Sequence, residues 1–91
     1  MCINLVGGMD RLKRDYENVA KQCGINLRIF TGKESCLVDK MGFPDKIILF
    51  TDMISHKART SVLQRSKTLG IPVIFLHSNG VSSLSRCFRE L

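Results

Sequence analysis

The residues best suited to chemistry fall in three short stretches of this 91-residue chain. The first is Thr51-Asp52, followed by Ser55, His56, Lys57 and Arg59. An Asp four residues before a His can orient the imidazole, as carboxylates do for metal-binding histidines, or it can simply cap a helix. The second stretch is His77-Ser78-Asn79-Gly80, running into Ser82 and Ser83. Small polar residues, a glycine and no acid suit an anion cup at a helix N-terminus; the alternative is a plain cap by Ser82 or Ser83. The third is Gly7-Gly8 with Arg11. These glycines either let the main chain approach an anion or only turn a strand into a helix. Both G-x-G-x-x-G and the P-loop G-x-x-x-x-G-K-[ST] are missing.

His56 has three readings: a surface residue in a first helical turn, an anion ligand together with Lys57 and Arg59, or a ligand of a metal or haem iron. His77 is the weaker second candidate for a metal. Free N–H groups give a helix N-terminus partial positive charge, so acids belong there and bases do not. Lys57 and Arg59 stand where a helix should begin, and a negative ligand would supply the missing partner. Catalysis has less support. Asp52 and His56 with Ser78 or Ser82 have the residue types of a nucleophile triad, but neither serine sits in a nucleophile motif. A metal hydrolase uses three or more protein ligands, and two histidines plus Asp52 would be a minimum. The expectation leans away from an enzyme.

The charge is uneven. Of the formal +6, nearly all lies after residue 52, where six Lys and Arg face only Glu90. Such asymmetry points to an anionic partner. A solvated basic face explains it as well. A nucleic-acid-associated module using this basic half is a further alternative, not favoured, because five Phe and Tyr16 do not form the aromatic-basic clusters of single-strand binders.

The elements that must position these residues follow from apolar spacing. Cys2–Val6 reads as a buried strand. Met9 to Cys23 carries Met9, Leu12, Tyr16, Val19, Ala20 and Cys23 on one helix face, with Gly24 as the stop. Ile25–Phe30 alternates as a half-buried edge strand. Residues 31–46 form a connector with a helical turn or two around Cys36–Met41. Asp45–Phe50 leads into a central strand. A helix is expected from about Ser55 to Leu69, with Ala58, Val62 and Leu69 inward and Gly70 as its stop. Pro72–Leu76 is a fourth strand, and a last helix is expected from Ser82 or Ser83. This alternation implies one α/β domain over residues 1–91: a four-stranded parallel sheet in order 2-1-3-4, helices on both faces, right-handed crossovers. Ligands of such sheets bind beyond the carboxyl ends of the strands where the order reverses, here between strands 1 and 3.

No apolar run approaches the ~20 residues of a membrane span, and the N-terminus lacks a signal-peptide pattern, so a cytoplasmic protein is expected. Reduced thiols are expected for Cys2, Cys23, Cys36 and Cys87: no C-x-x-C pair occurs. Cys2, Cys23 and Cys87 read as core filler, Cys36 as a loop residue. A core this small suggests help from oligomerisation, and a homodimer is expected.

The stretches "NLVGG", "DKIILFTDMISHKA" and "KTLGIPVIFLHSNGVSSLSRCF" resemble the bacterial domain-of-unknown-function family DUF2325 over nearly the whole length. Asp52–His56 and Gly80–Leu84 are the most specific parts of the resemblance; residues 31–45 are the least family-like. The resemblance implies a small Rossmann-like, flavodoxin-like domain without an assigned biochemical role. It also implies haem as a possible cofactor. That would fall on His56 as axial ligand, beside an apolar pocket to which Met53 and Ile54 could contribute.

Overall fold

Chain segments dense in Ile, Leu, Val and Phe form the four strands, because such side chains pack well on a pleated, buried surface. The structure is a computed structural model that describes residues 1–32, 37–52, 54–78 and 80–91, without the Val38 side chain. Its strands are β1 (Cys2–Val6), β2 (Asn26–Phe30), β3 (Lys46–Phe50) and β4 (Val73–Leu76). They pair in parallel in the order β2-β1-β3-β4. The helices are α1 (Lys13–Gln22), preceded by a 3-10 turn over Asp10–Leu12, then α2 (Leu37–Met41), α3 (His56–Leu69) and α4 (Val81–Arg89).

Alternation along the strands builds two cores. Ile3, Leu5, Ile48 and Phe50 face α1 and α4, packing on Tyr16, Ala20, Leu84, Cys87 and Phe88. Val6, Ile47 and Leu49 face α2 and α3, packing on Leu37, Met41, Ala58 and Val62. The two central strands are therefore apolar on both faces, as buried parallel strands must be. Asn4 is the polar exception. Fully buried, it donates from Nδ2 to the Met41 carbonyl at 2.7 Å and ties the end of α2 to the sheet.

Several expectations need correction. Cys23 is exposed, not core: α1 ends at Gln22, and the backbone turns away at Gly24 with φ +70°. Cys87 is buried as expected, Cys2 is half-buried, and Cys36 lies outside the described residues. Leu69 is only half-buried; Ser66 takes the inward place on α3, its hydroxyl donating to the Ile71 carbonyl. The first helix begins as a 3-10 turn, and the last begins at Val81 rather than at Ser82 or Ser83. Ile25 and Pro72 precede their strands.

Candidate ligand site at the carboxyl edge of the sheet

β3 and β4 end level with each other. Phe50 pairs with Leu76, and the Thr51 N–H donates to the Leu76 carbonyl at 2.9 Å. The chain leaving β3 passes Asp52 and Ser55 and enters α3 at His56; the chain leaving β4 passes His77 and Ser78 and enters α4 at Val81. The sheet thus brings Asp52, Ser55, His56, Lys57, His77, Ser78 and Ser82 to one edge, all exposed. Asn79 and Met53 lie outside the described residues.

The two helix N-termini at this edge differ. At α3, Ser55 is the cap: its Oγ accepts from the Ala58 N–H at 3.2 Å, so capping does not fall to Asp52. At α4 the cap position is Gly80, which has no side chain to offer, and neither Ser82 nor Ser83 serves as the cap. Ser78 Oγ accepts from the Gly80 N–H at 3.3 Å, which shapes the turn before the helix. Neither helix has an acid in its first turn. The N–H groups at the start of α4 therefore have no side-chain acceptor at the cap and no acid in the helix's own first turn.

Not every expected residue joins this group. Ser83 lies in a groove between β4 and α4 with Ile74, Leu76, Arg86, Cys87 and Glu90. Arg59 is drawn toward β4, with its Cζ 5.9 Å from the centre of the Phe75 ring, a cation–π contact. Gly7 and Gly8 are buried and serve packing. Gly7 has φ +91°, and a Cβ there would lie 2.8 Å from the Phe50 carbonyl oxygen and 3.6 Å from Ile54 Cβ. A Cβ on Gly8 would lie 3.0 Å from the Tyr16 ring. Ile54 also packs close to Gly32, where a Cβ would sit 3.3 Å from its Cγ1. Its side chain thus fills the space beyond β1 and β3, and the open part of the edge is displaced toward β3 and β4. It is half-buried and packs against the core that α2 and α3 form on the sheet.

Tyr16 lies in the core, as its place on the apolar face of the first helix predicts, but its polar end has a role that apolar spacing does not reveal. The ring is fully buried and lies 5.8 Å from that of Phe50. The hydroxyl accepts from the Met9 N–H at 3.4 Å. Burial raises its pKa above the ordinary 10.0; the Met9 hydrogen bond opposes this, and Asp52 raises while Arg11 lowers it. Arg11 is exposed in the 3-10 turn that precedes α1. A Tyr rather than a Phe on the apolar face of α1 is the available signal. Among the described residues, no three His, Cys, Asp or Glu gather to hold a metal ion.

The family described as "Uncharacterized protein conserved in bacteria (DUF2325)" matches residues 2–91. The chain belongs to this family. The resemblance carried by Asp52–His56 and Gly80–Leu84 extends over both sheet-edge loops and the rest of the domain. Among solved structures, the chain is similar to a de novo designed Rossmann fold protein, with 13% identity, a TM-score of 0.66, and coverage of 98% of this chain and 94% of that one. At that identity the likeness establishes the Rossmann-like fold alone. No curated protein matches the chain. Among the described residues, no helix is long and apolar enough to cross a membrane.

Proposed function

We propose that this protein is a non-catalytic ligand-binding or regulatory domain that takes an anionic small molecule at the carboxyl edge of β3 and β4. The observation that carries this reading is the α4 N-terminus, with no side-chain cap and no acid in its first turn, at the same edge as His56 and Lys57. Helix N-termini attract anions through free N–H groups and the helix dipole. Ser82 and Ser78 would add hydroxyl donors, and His77 a second imidazole.

Thermal-shift titration with inorganic pyrophosphate tests this, using Ser82→Asp as the diagnostic variant. A carboxylate in the first turn of α4 stabilises the empty helix by about 0.3–1 kcal/mol but repels an incoming anion. The variant is therefore expected to melt slightly higher alone and to lose the pyrophosphate-induced rise. At a hundredfold excess over Kd, that rise corresponds to about 2.7 kcal/mol in the parent protein. An equal shift in both proteins, or none in the parent, would rule the site out.

A second reading, a haem protein with His56 as axial ligand, is favoured by one surface. His56 and Arg59 lie one turn apart on α3, and Arg59 sits over the ring of Phe75, a residue that is 51% exposed. His56 would hold the iron, Phe75 would lie against the porphyrin, and Arg59 would pair with a propionate. Bound haem would supply the redox and ligand-binding chemistry of its iron. Titration with haemin is expected to give a Soret band that is lost in His56→Ala and retained in Lys67→Ala. A band unaffected by His56→Ala would eliminate this histidine as ligand.

A further inference from the structure

The two edges of the sheet are unlike. β2 presents Asn26 and Arg28, both exposed, and a charged edge is blunted against pairing with another strand. β4 presents Val73, Ile74, Phe75 and Leu76, without a charge. Among the described residues, no strand pairs with its outer side. Pro72 and Leu76 accept from the Ile47 and Thr51 N–H groups at 3.0 and 2.9 Å, so Pro72, Ile74 and Leu76 turn their main-chain groups toward β3. Val73 and Phe75 alternate with them and turn theirs outward, where the order β2-β1-β3-β4 leaves no further strand.

The two faces beside this edge differ chemically. On the α4 side, Ile74, Leu76 and Cys87 contribute to a groove of about 210 Å³, with Ser83, Arg86 and Glu90 completing its lining. On the α3 side, Phe75 is half exposed beneath the Arg59 guanidinium. A strand laid along β4 would alternate its side chains between these faces. Apolar ones would enter the groove, and those pointing the other way would meet Arg59. The stretch from Met53 to Arg89 carries six Lys and Arg and no acid, so acidic side chains on the partner would complement it. The β4 strand of a second copy carries no acid to meet Arg59.

We propose that β4 is a docking edge for an extended segment of another protein in which apolar and acidic side chains alternate. The segment adds as a fifth strand, bonded to the Val73 and Phe75 main chain, with its apolar residues in the β4–α4 groove and its acids on Arg59. This is β-augmentation, in which main-chain bonds supply affinity and alternate side chains supply selectivity.

The test titrates the full chain at low salt with a capped hexapeptide of alternating Val and Glu, against the same peptide with Lys for Glu. Binding and amide hydrogen exchange are both read by NMR. The Glu peptide is expected to bind at least about tenfold more tightly, since like charges across an interface are strongly disfavoured. It should slow exchange at Val73 and Phe75, while Ile74 and Leu76, already bonded to β3, change little. Arg59→Glu, an exposed position that should not affect folding, is expected to invert the peptide preference. Unchanged exchange at Val73 and Phe75, or equal affinity for the two peptides, would overturn the proposal. So would a sedimenting dimer in which these two amides are protected without peptide, since β4 would then pair with a second copy.

Discussion

Replacing Tyr16 with alanine is expected to cost about 3–5 kcal/mol, the range for removing a large buried aromatic side chain. Domains of this size hold roughly 5–15 kcal/mol in total, so the variant should sit near the edge of folding. The expectation rests on the place of this ring: fully buried, tilted against Phe50 and within the core that α1 and α4 form on the sheet. Urea unfolding followed by far-UV circular dichroism gives the number. A loss below about 1.5 kcal/mol would mean that the site collapses around the missing ring, against the low compressibility of packed interiors. Tyr16→Phe keeps the ring and removes the hydroxyl that accepts from Met9, so a loss of only about 1 kcal/mol is expected.

The same pair of variants separates an alkaline effect. Burial raises the Tyr16 phenol above its ordinary 10.0 and the Cys87 thiol above its ordinary 9.0. For Cys87, Glu90 raises it further and Lys46 lowers it. Both groups keep their protons longer in the folded chain than in the unfolded one. Above the ordinary values the unfolded state binds fewer protons, so stability falls as pH rises. The contribution is complete below about pH 9, begins to fall there through the thiol and steepens above pH 10 through the phenol. Tyr16→Phe is expected to flatten the part above pH 10 and leave the thiol part in place. An unchanged profile in Tyr16→Phe would show that another group drives the alkaline loss.

Gly7→Ala should be the most damaging of the glycine substitutions, at about 2–4 kcal/mol. Two independent causes combine. The backbone sits at φ +91°, which a Cβ disfavours, and that Cβ would lie 2.8 Å from the Phe50 carbonyl oxygen. A carbonyl held between two paired strands cannot retreat without disturbing β3. Gly24 provides the control: its φ is +70°, but nothing lies within 4 Å of a Cβ there. Gly24→Ala therefore carries conformational strain alone and should cost about 1 kcal/mol. Equal losses at the two positions, read from chemical unfolding, would show that the close approach at Gly7 contributes nothing.

Strands and sheet order were legible in the sequence because each strand is a dense apolar segment and each crossover contains a helix with one apolar face. Ile47 to Phe50 has no polar position, which only a central strand buried on both sides tolerates. Helix ends were less legible, since several residues compete to start or stop a helix. Ser55, Asp52, Ser82 and Ser83 are all capable caps, and only the backbone path selects Ser55 for α3 and a bare Gly80 for α4. Cys23 continues the apolar spacing of α1, yet the helix stops one residue earlier and leaves it exposed.

By itself the sequence determined the α/β class, the parallel order β2-β1-β3-β4, and the arrival of both histidines at one sheet edge. Those depend on periodicity and chain connectivity, which are local properties. Only the tertiary structure decided how that edge is divided. It put Ile54 into the space beyond β1 and β3, turned Gly7 and Gly8 into close-packing positions, and sent Arg59 to Phe75 and Ser83 to the β4–α4 groove. It also left β4 as the uncharged edge. The direction of a side chain at a strand exit is set by what packs on it from distant parts of the chain, and spacing along the sequence does not encode that.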